Sequence, residues 1–201
     1  MARIEREERV KEFERAPRSL LTRAGVPERF IAARISDFAS LGEDNGLVRY
    51  GATLEERAKA CTGLVVIGPV GTGKTHLACA LVARAFELGL RGRYGTALGY
   101  CSAVKASYGR QGQAQQESPR QAWVAPHLLA LDEIGFWLGT DADRVILFEL
   151  LNERYNAMRP TVLFSNLTLA ELEDTIGPAL IDRARDGGGA VVALDGKSRR
   201  A

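Results

Sequence analysis

The chain has few of the residues that cross-link or metallate small proteins: three cysteines, two histidines, two tryptophans and two methionines in 201 positions. Cys61, Cys79 and Cys101 stand far apart and form no Cys-x-x-Cys pair, which excludes a disulfide framework and the ligand spacing of a zinc module. They read as small packing residues in a reducing compartment. No stretch approaches the roughly 18 consecutive apolar residues of a membrane-crossing helix. The opening MARIEREERVKEFERAPR is charged throughout and lacks the apolar centre of a secretory leader, so a cytoplasmic protein is expected. Nor does charge of one sign dominate, since 27 Lys and Arg face 25 Asp and Glu for a net of +2. Any nucleic-acid surface would therefore be a local patch.

What is present suits a folded core. Hydrophobic residues make up 46% of the chain and charged residues 26%, and the length is that of one domain. Short apolar runs predict strands over 63–68, 93–101, 127–133, 160–166 and 190–195. Between them lie helical patterns: 53–61, where Thr53 and Glu56 match a capping box, a helix from Gly73 to Gly89, and 168–177, where Thr168 and Glu171 repeat the box. The stretch 140–158 reads as an amphipathic helix with Val145, Phe148, Leu151, Tyr155 and Met158 on its apolar side. Strands alternating with helices imply an α/β fold, a parallel sheet covered on both faces.

Residues 1–23 pair Glu5 with Arg9 and Glu7 with Lys11 at helical spacing, which describes a solvated helical arm with few apolar anchors. A mobile arm and a docking helix fit that pattern equally. Residues 24–201 form the domain itself, entered through a Pro-led turn with spaced apolar residues over 24–38. The Gln-rich tract 108–123 reads as a loop or a loosely ordered helix.

The stretch GPVGTGKT, 68–75, satisfies G-x-x-x-x-G-K-[ST] between a predicted strand and a predicted helix. Gly68, Gly71 and Gly73 permit the tight backbone that aims amides at phosphate oxygens, and the helix start adds its positive end. Lys74 can reach the β- and γ-phosphates, while the Thr75 hydroxyl can ligate Mg²⁺. With Pro69, Val70, Thr72 and the following His76, these form the candidate cofactor-binding set. Asp132 ends a buried strand, on the edge where ligands collect in open α/β sheets, and can hold Mg²⁺ through a water. Glu133 can orient the attacking water and accept its proton. Asn166 ends another central strand, where its amide can bond both the γ-phosphate and that water.

These residues, with GPVGTGKTHLA, LLALDEIGF, LFELLNERYNAMRPTVLFSNLTLAEL, LIDRARDGGG and LDGKSRR, make the chain resemble the AAA+ ATPases of the DnaC type, which load replicative helicase onto DNA. The resemblance runs over about 24–200. It implies a sheet of order 5-1-4-3-2 without a C-terminal lid domain, ATP with Mg²⁺, and self-assembly into a spiral or ring. Arg183 matches the family's arginine finger, with Arg185 the alternative in the same motif. Arg200 matches a sensor arginine that follows a Ser-Tyr pair in the family; here Arg199 replaces the tyrosine. The helix lining the single-stranded DNA surface corresponds to 102–110, offering Lys105, Tyr108 and Arg110, which also suit a solvated helix face. The implied activity is ATP-dependent loading of a replicative helicase. An IstB-like helper of transposition and a nucleotide-gated binding module with little turnover are the alternatives.

Overall fold

Helices alternate with short, largely buried strands along the chain, and a parallel sheet is the result. The computed structural model describes residues 2–41, 45–108, 119–135 and 140–194. In chain order come α1 (Ala2–Arg15), α2 (Pro17–Arg23), 3₁₀ turns at Glu28–Phe30 and Ile35–Leu41, α3 (Gly46–Ala52) and α4 (Leu54–Lys59). Then follow β1 (Leu64–Ile67), α5 (Lys74–Glu87), β2 (Gly92–Thr96), α6 (Ala97–Ser107), α7 (Pro119–Val124) and β3 (Leu128–Ile134). The chain continues through α8 (Asp141–Asn156), β4 (Thr161–Ser165), α9 (Leu169–Ile176), α10 (Pro178–Arg185) and β5 (Ala190–Ala193).

The five strands form a parallel sheet of order β2-β3-β4-β1-β5. This is the 5-1-4-3-2 order expected from the resemblance. The pleat sends alternate residues to opposite faces. Leu64, Val66, Ala130, Val162 and Phe164 join the core under α5. Val65, Leu129, Leu131 and Leu163 join the core under α6, α8 and α10. Each fully buried Val, Leu or Phe contributes about 1.5–3 kcal/mol, so burial on both faces holds the central strands.

Several local expectations are corrected. The strand expected over 93–101 ends at Thr96, whose hydroxyl accepts from Gly99 N and caps α6. Tyr100, Cys101 and Val104 are then buried at helical spacing. At α4 the expected capping box does not form: the Thr53 hydroxyl donates back to Arg49 O, because the residue continues from α3. The box at Thr168 and Glu171 does form. On α8 the buried residues include Ile146, Leu147, Leu150, Leu151 and Arg154, while Val145 and Phe148 are 56% and 43% exposed. Two apolar stripes compete on that helix, and the buried one includes an arginine.

Arg154 is fully buried, and each nitrogen of its guanidinium donates at least one hydrogen bond. Nη1 donates to the carbonyls of Trp123, Val124 and Pro126, Nη2 to Pro160 O and Nε to Thr161 Oγ1. It thereby ties α8 to the segments that enter β3 and β4. Burial pulls its pKa down to about 9, and the five hydrogen bonds compensate the enclosed charge.

The N-terminal helices carry more apolar anchorage than their charge pattern announces. Leu21 is fully buried and Phe13 stacks on Phe86 with ring centroids 5.5 Å apart. Arg6 Nε donates to Leu88 O at 2.6 Å and Arg9 Nε to Gly89 O at 2.7 Å, satisfying carbonyls left open at the end of α5. Arg9 therefore turns to the core rather than to Glu5.

Candidate active site

The loop 68–73 joins β1 to α5, and two glycines show why the sequence has no choice there. At Gly68 a Cβ would collide with the Leu194 carbonyl. Gly73 caps α5 in the left-handed region, at φ 99°, which side chains rarely adopt. The helix thus begins at Lys74 with its first amides directed towards the loop.

Lys74 is buried, and its ammonium lies 2.6 Å from Gly68 O and 2.7 Å from Pro69 O. The side chain is folded along the loop whose amides surround a phosphate in such motifs. Thr72 braces the loop by donating to Pro69 O at 2.9 Å. The Thr75 hydroxyl donates to Asp132 Oδ2 at 2.8 Å, linking the start of α5 to the end of β3. Asp132 is buried and also accepts from the Tyr94 hydroxyl and from Glu133 N.

Glu133 owes its position to a break in the sheet. Leu131 pairs with Leu163 and Ile134 with Ser165, so β3 holds one residue more than β4 between these pairs. Such a bulge re-aims side chains near functional sites. Glu133 takes φ 57° and is exposed. A non-glycine residue in that region costs about 1 kcal/mol or more.

A cleft of about 360 Å³ brings together Gly71, Gly73, Lys74, Thr75, His76, Asp132, Glu133 and Asn166, with Val70 on its rim. Asp132 and Glu133 stand near the end of β3, Asn166 follows β4 and Lys74 opens the helix reached from β1 through the loop, so all four meet at the carboxyl edge of the sheet. The cleft also contains residues the sequence reading left out, Arg29, Phe30, Asp37 and Phe38. The 3₁₀ turns carry them to α5, where His76 Nε2 lies 2.6 Å from Asp37 Oδ2 and its ring meets Phe30 and Phe38 edge-on. Hydrogen bonds from Arg34 N and His76 hold the Asp37 carboxyl below its usual range. The signal for this wall was the Arg-Phe and Asp-Phe pairing within 29–38, but nothing local ties it to His76.

The residues fit Mg²⁺ with a nucleotide. Thr75 and Asp132 offer hard oxygens side by side, and Mg²⁺ is usually held by one or two protein oxygens plus phosphates and water. Among the described residues no cluster of three or more His, Cys, Asp or Glu could hold an ion by itself.

Arg183 stands elsewhere. It lies on α10 beside Gly63 and Thr161, at the opposite edge of the sheet from the cleft. Its guanidinium covers the rings of Phe148 and Tyr155 at 5.6 and 5.5 Å, and Nη1 is enclosed without an acceptor among the described residues. Arg185 is exposed. Lys105 is engaged by Asp143 at 2.6 Å, while Tyr108 is exposed. Arg110 and Arg200 lie outside the described residues.

Sheet order, phosphate loop and acidic strand end together define a P-loop nucleotide-binding protein with an AAA+ core. The chain belongs to the family of IstB-like ATP binding proteins, whose model matches residues 4–200. It is 29% identical to the uncharacterized protein YdaV of Escherichia coli K12, over 98% of this chain and 81% of that one. To the replicative helicase loader DnaC of the same organism it is 28% identical, over 79% of this chain and 64% of DnaC. Among solved structures, the DnaC helicase loader superposes with a TM-score of 0.67 at 20% identity, covering 84% of this chain and all of that one. A replication initiator DnaA bound to AMPPCP and single-stranded DNA gives 0.67 at 25% identity, covering 87% of this chain and 53% of that one. No helix among the described residues is long and apolar enough to cross a membrane.

Proposed function

We propose that this chain is a Mg²⁺-dependent ATPase that loads a replicative helicase onto DNA. The observation that carries the enzymatic part is the Thr75–Asp132 hydrogen bond across the loop, with Glu133 presented beside it by the bulge in β3. ATP and Mg²⁺, when bound, supply an electrophilic phosphoryl group and charge neutralisation. Lys74 would exchange its loop carbonyls for phosphate oxygens, and Thr75, with Asp132 through a water, would hold the ion. Glu133 accepts a proton from the attacking water, and Asn166 orients that water. Arg183, remote from the chain's own cleft, serves the site of a neighbouring copy.

The similarity to DnaC over 79% of this chain supports the loader reading. The exposed Val145, and the exposed Phe148 beneath the Arg183 guanidinium, support contact with a second copy. Single-stranded DNA meets the α6 end at Tyr108, with Arg110 beyond it and Lys105 after release from Asp143. A second reading, an ATPase helper of transposition, is favoured by the IstB-like family model spanning 4–200. The test is retention of a purified hexameric replicative helicase or of a transposase by the immobilised protein with ATP. Retention of the helicase, with ATP turnover altered by single-stranded DNA, is expected. Retention of the transposase alone would replace the loader reading with the second.

A further inference from the structure

A second cleft, of about 310 Å³, lies at the other end of α5 between the N-terminal helices and the edge strand β2. Arg9, Arg23, Arg91 and Arg93 line it, against Glu12 as the one acid among the described lining residues. Glu12 meets Arg23 at 3.7 Å, and both side chains are more than half exposed, so solvent screens the pair. Among the described residues, Arg9, Arg23 and Arg91 set three guanidiniums against one carboxylate in a concave site, and such a positive field raises the local concentration of anions. The same field reaches His127, whose Nδ1 accepts from Arg91 N. Burial first, then Arg91 and Arg9, push its pKa down to about 4.

The floor of the cleft is apolar, built from Leu20, Phe86 and Pro126 with small alanines. That pairing of floor and rim separates two anionic occupants. Single-stranded nucleic acid binds on exposed aromatic faces as well as on charge. Here Phe86 is already stacked on Phe13, and the buried Trp123 lies beneath Arg93 at 4.5 Å. An acidic peptide with apolar side chains matches both surfaces, its carboxylates on the arginines and its apolar anchors on the floor.

We propose that this cleft is a docking site for an acidic, apolar-anchored peptide segment of a partner protein. The test is selection from a random 12-residue peptide library displayed on phage against the full chain, followed by fluorescence titration of the enriched peptides. Enriched sequences should carry an excess of Asp and Glu around apolar residues. Arg23→Glu with Arg91→Glu should weaken them at least tenfold, and replacing their acidic residues by Lys should restore binding to that variant. Arg23 is largely exposed, so Arg23→Glu alone provides a second variant that leaves the fold intact, with a smaller loss in the same direction. Nucleotide affinity should be unchanged in both. Enrichment without acidic excess, or equal binding to parent and double variant, overturns the proposal. So does loss of oligo-dT binding, rather than peptide binding, in the double variant, which assigns the cleft to nucleic acid.

Discussion

The Tyr94 hydroxyl donates to Asp132 Oδ2 across 3.1 Å, so a phenol from β2 and the Thr75 hydroxyl converge on one carboxylate oxygen at the end of β3. Burial and the nearby Asp132 raise the Tyr94 pKa, which keeps the phenol a donor. Its main-chain N–H bonds Ala24 O at 2.8 Å. Tyr94→Phe removes a bond worth about 0.5–1.5 kcal/mol and should raise the Mg²⁺ needed for half-maximal ATP hydrolysis roughly three- to tenfold. An unchanged Mg²⁺ titration would show that the phenol does not position Asp132.

Lys74→Ala takes away the cation folded along the phosphate loop. Nucleotide affinity, read by fluorescence titration, should fall at least tenfold, about 1.4 kcal/mol. Equal affinity would remove Lys74 from the phosphate site.

Glu133→Gln keeps the shape of the side chain at its left-handed position and loses the proton acceptor. The variant should bind ATP as the parent does, hydrolyse it at least about a hundredfold more slowly, and accumulate larger assemblies on a sizing column. Hydrolysis at the parent rate would place the base on another residue.

Arg183→Ala should be inactive alone and regain activity when mixed with Lys74→Ala. In a mixed assembly one chain supplies Lys74 and its neighbour supplies Arg183, so some sites are whole. Recovery should be partial and strongest with single-stranded DNA. If both variants co-assemble and no ratio restores turnover, Arg183 does not act across an interface, and Arg185 is tested by the same mixing.

His127 is half-buried, with a pKa pushed down to about 4 from an ordinary 6.5 by burial and surrounding arginines. A depressed histidine favours the fold while neutral. Its contribution is present above pH 6.5 and is lost as pH falls towards 4. Discounted for its exposure, the contribution is on the order of 1 kcal/mol. His127→Asn preserves an acceptor for Arg91 N and should show a smaller loss of thermal stability between those pH values. Parallel pH profiles for parent and variant would contradict it.

Much of the candidate site was legible in the sequence because its residues stand in short contiguous motifs. The phosphate loop, the Asp-Glu pair and Asn166 each close an apolar run, and a parallel sheet delivers such strand ends to one edge. The remainder depends on contacts between distant segments. His76 meets Asp37 across a separation of 39 residues, and no periodicity reports that. On α8 the stripe of Val145 and Phe148 looked like the core side because Arg154, on the buried side, carries a charge that sequence reading assigns to solvent. The Thr53 box failed because the same hydroxyl had a nearer carbonyl in Arg49. Over 93–101, Tyr94, Thr96, Leu98 and Tyr100 mimic the two-residue alternation of a strand, but the Thr96 cap lets the helix begin first.

One helix begins at the phosphate loop and finishes beneath the N-terminal arm. With 14 residues and a rise of about 1.5 Å each, α5 is a rod roughly 21 Å long. Lys74 and Thr75 stand at one tip; Phe86 stands at the other, followed by the carbonyls that Arg6 and Arg9 grip. The same 14-residue helix that opens at the phosphate loop therefore ends in the contacts that seat α1, so the candidate cleft and the N-terminal helices share one continuous backbone segment.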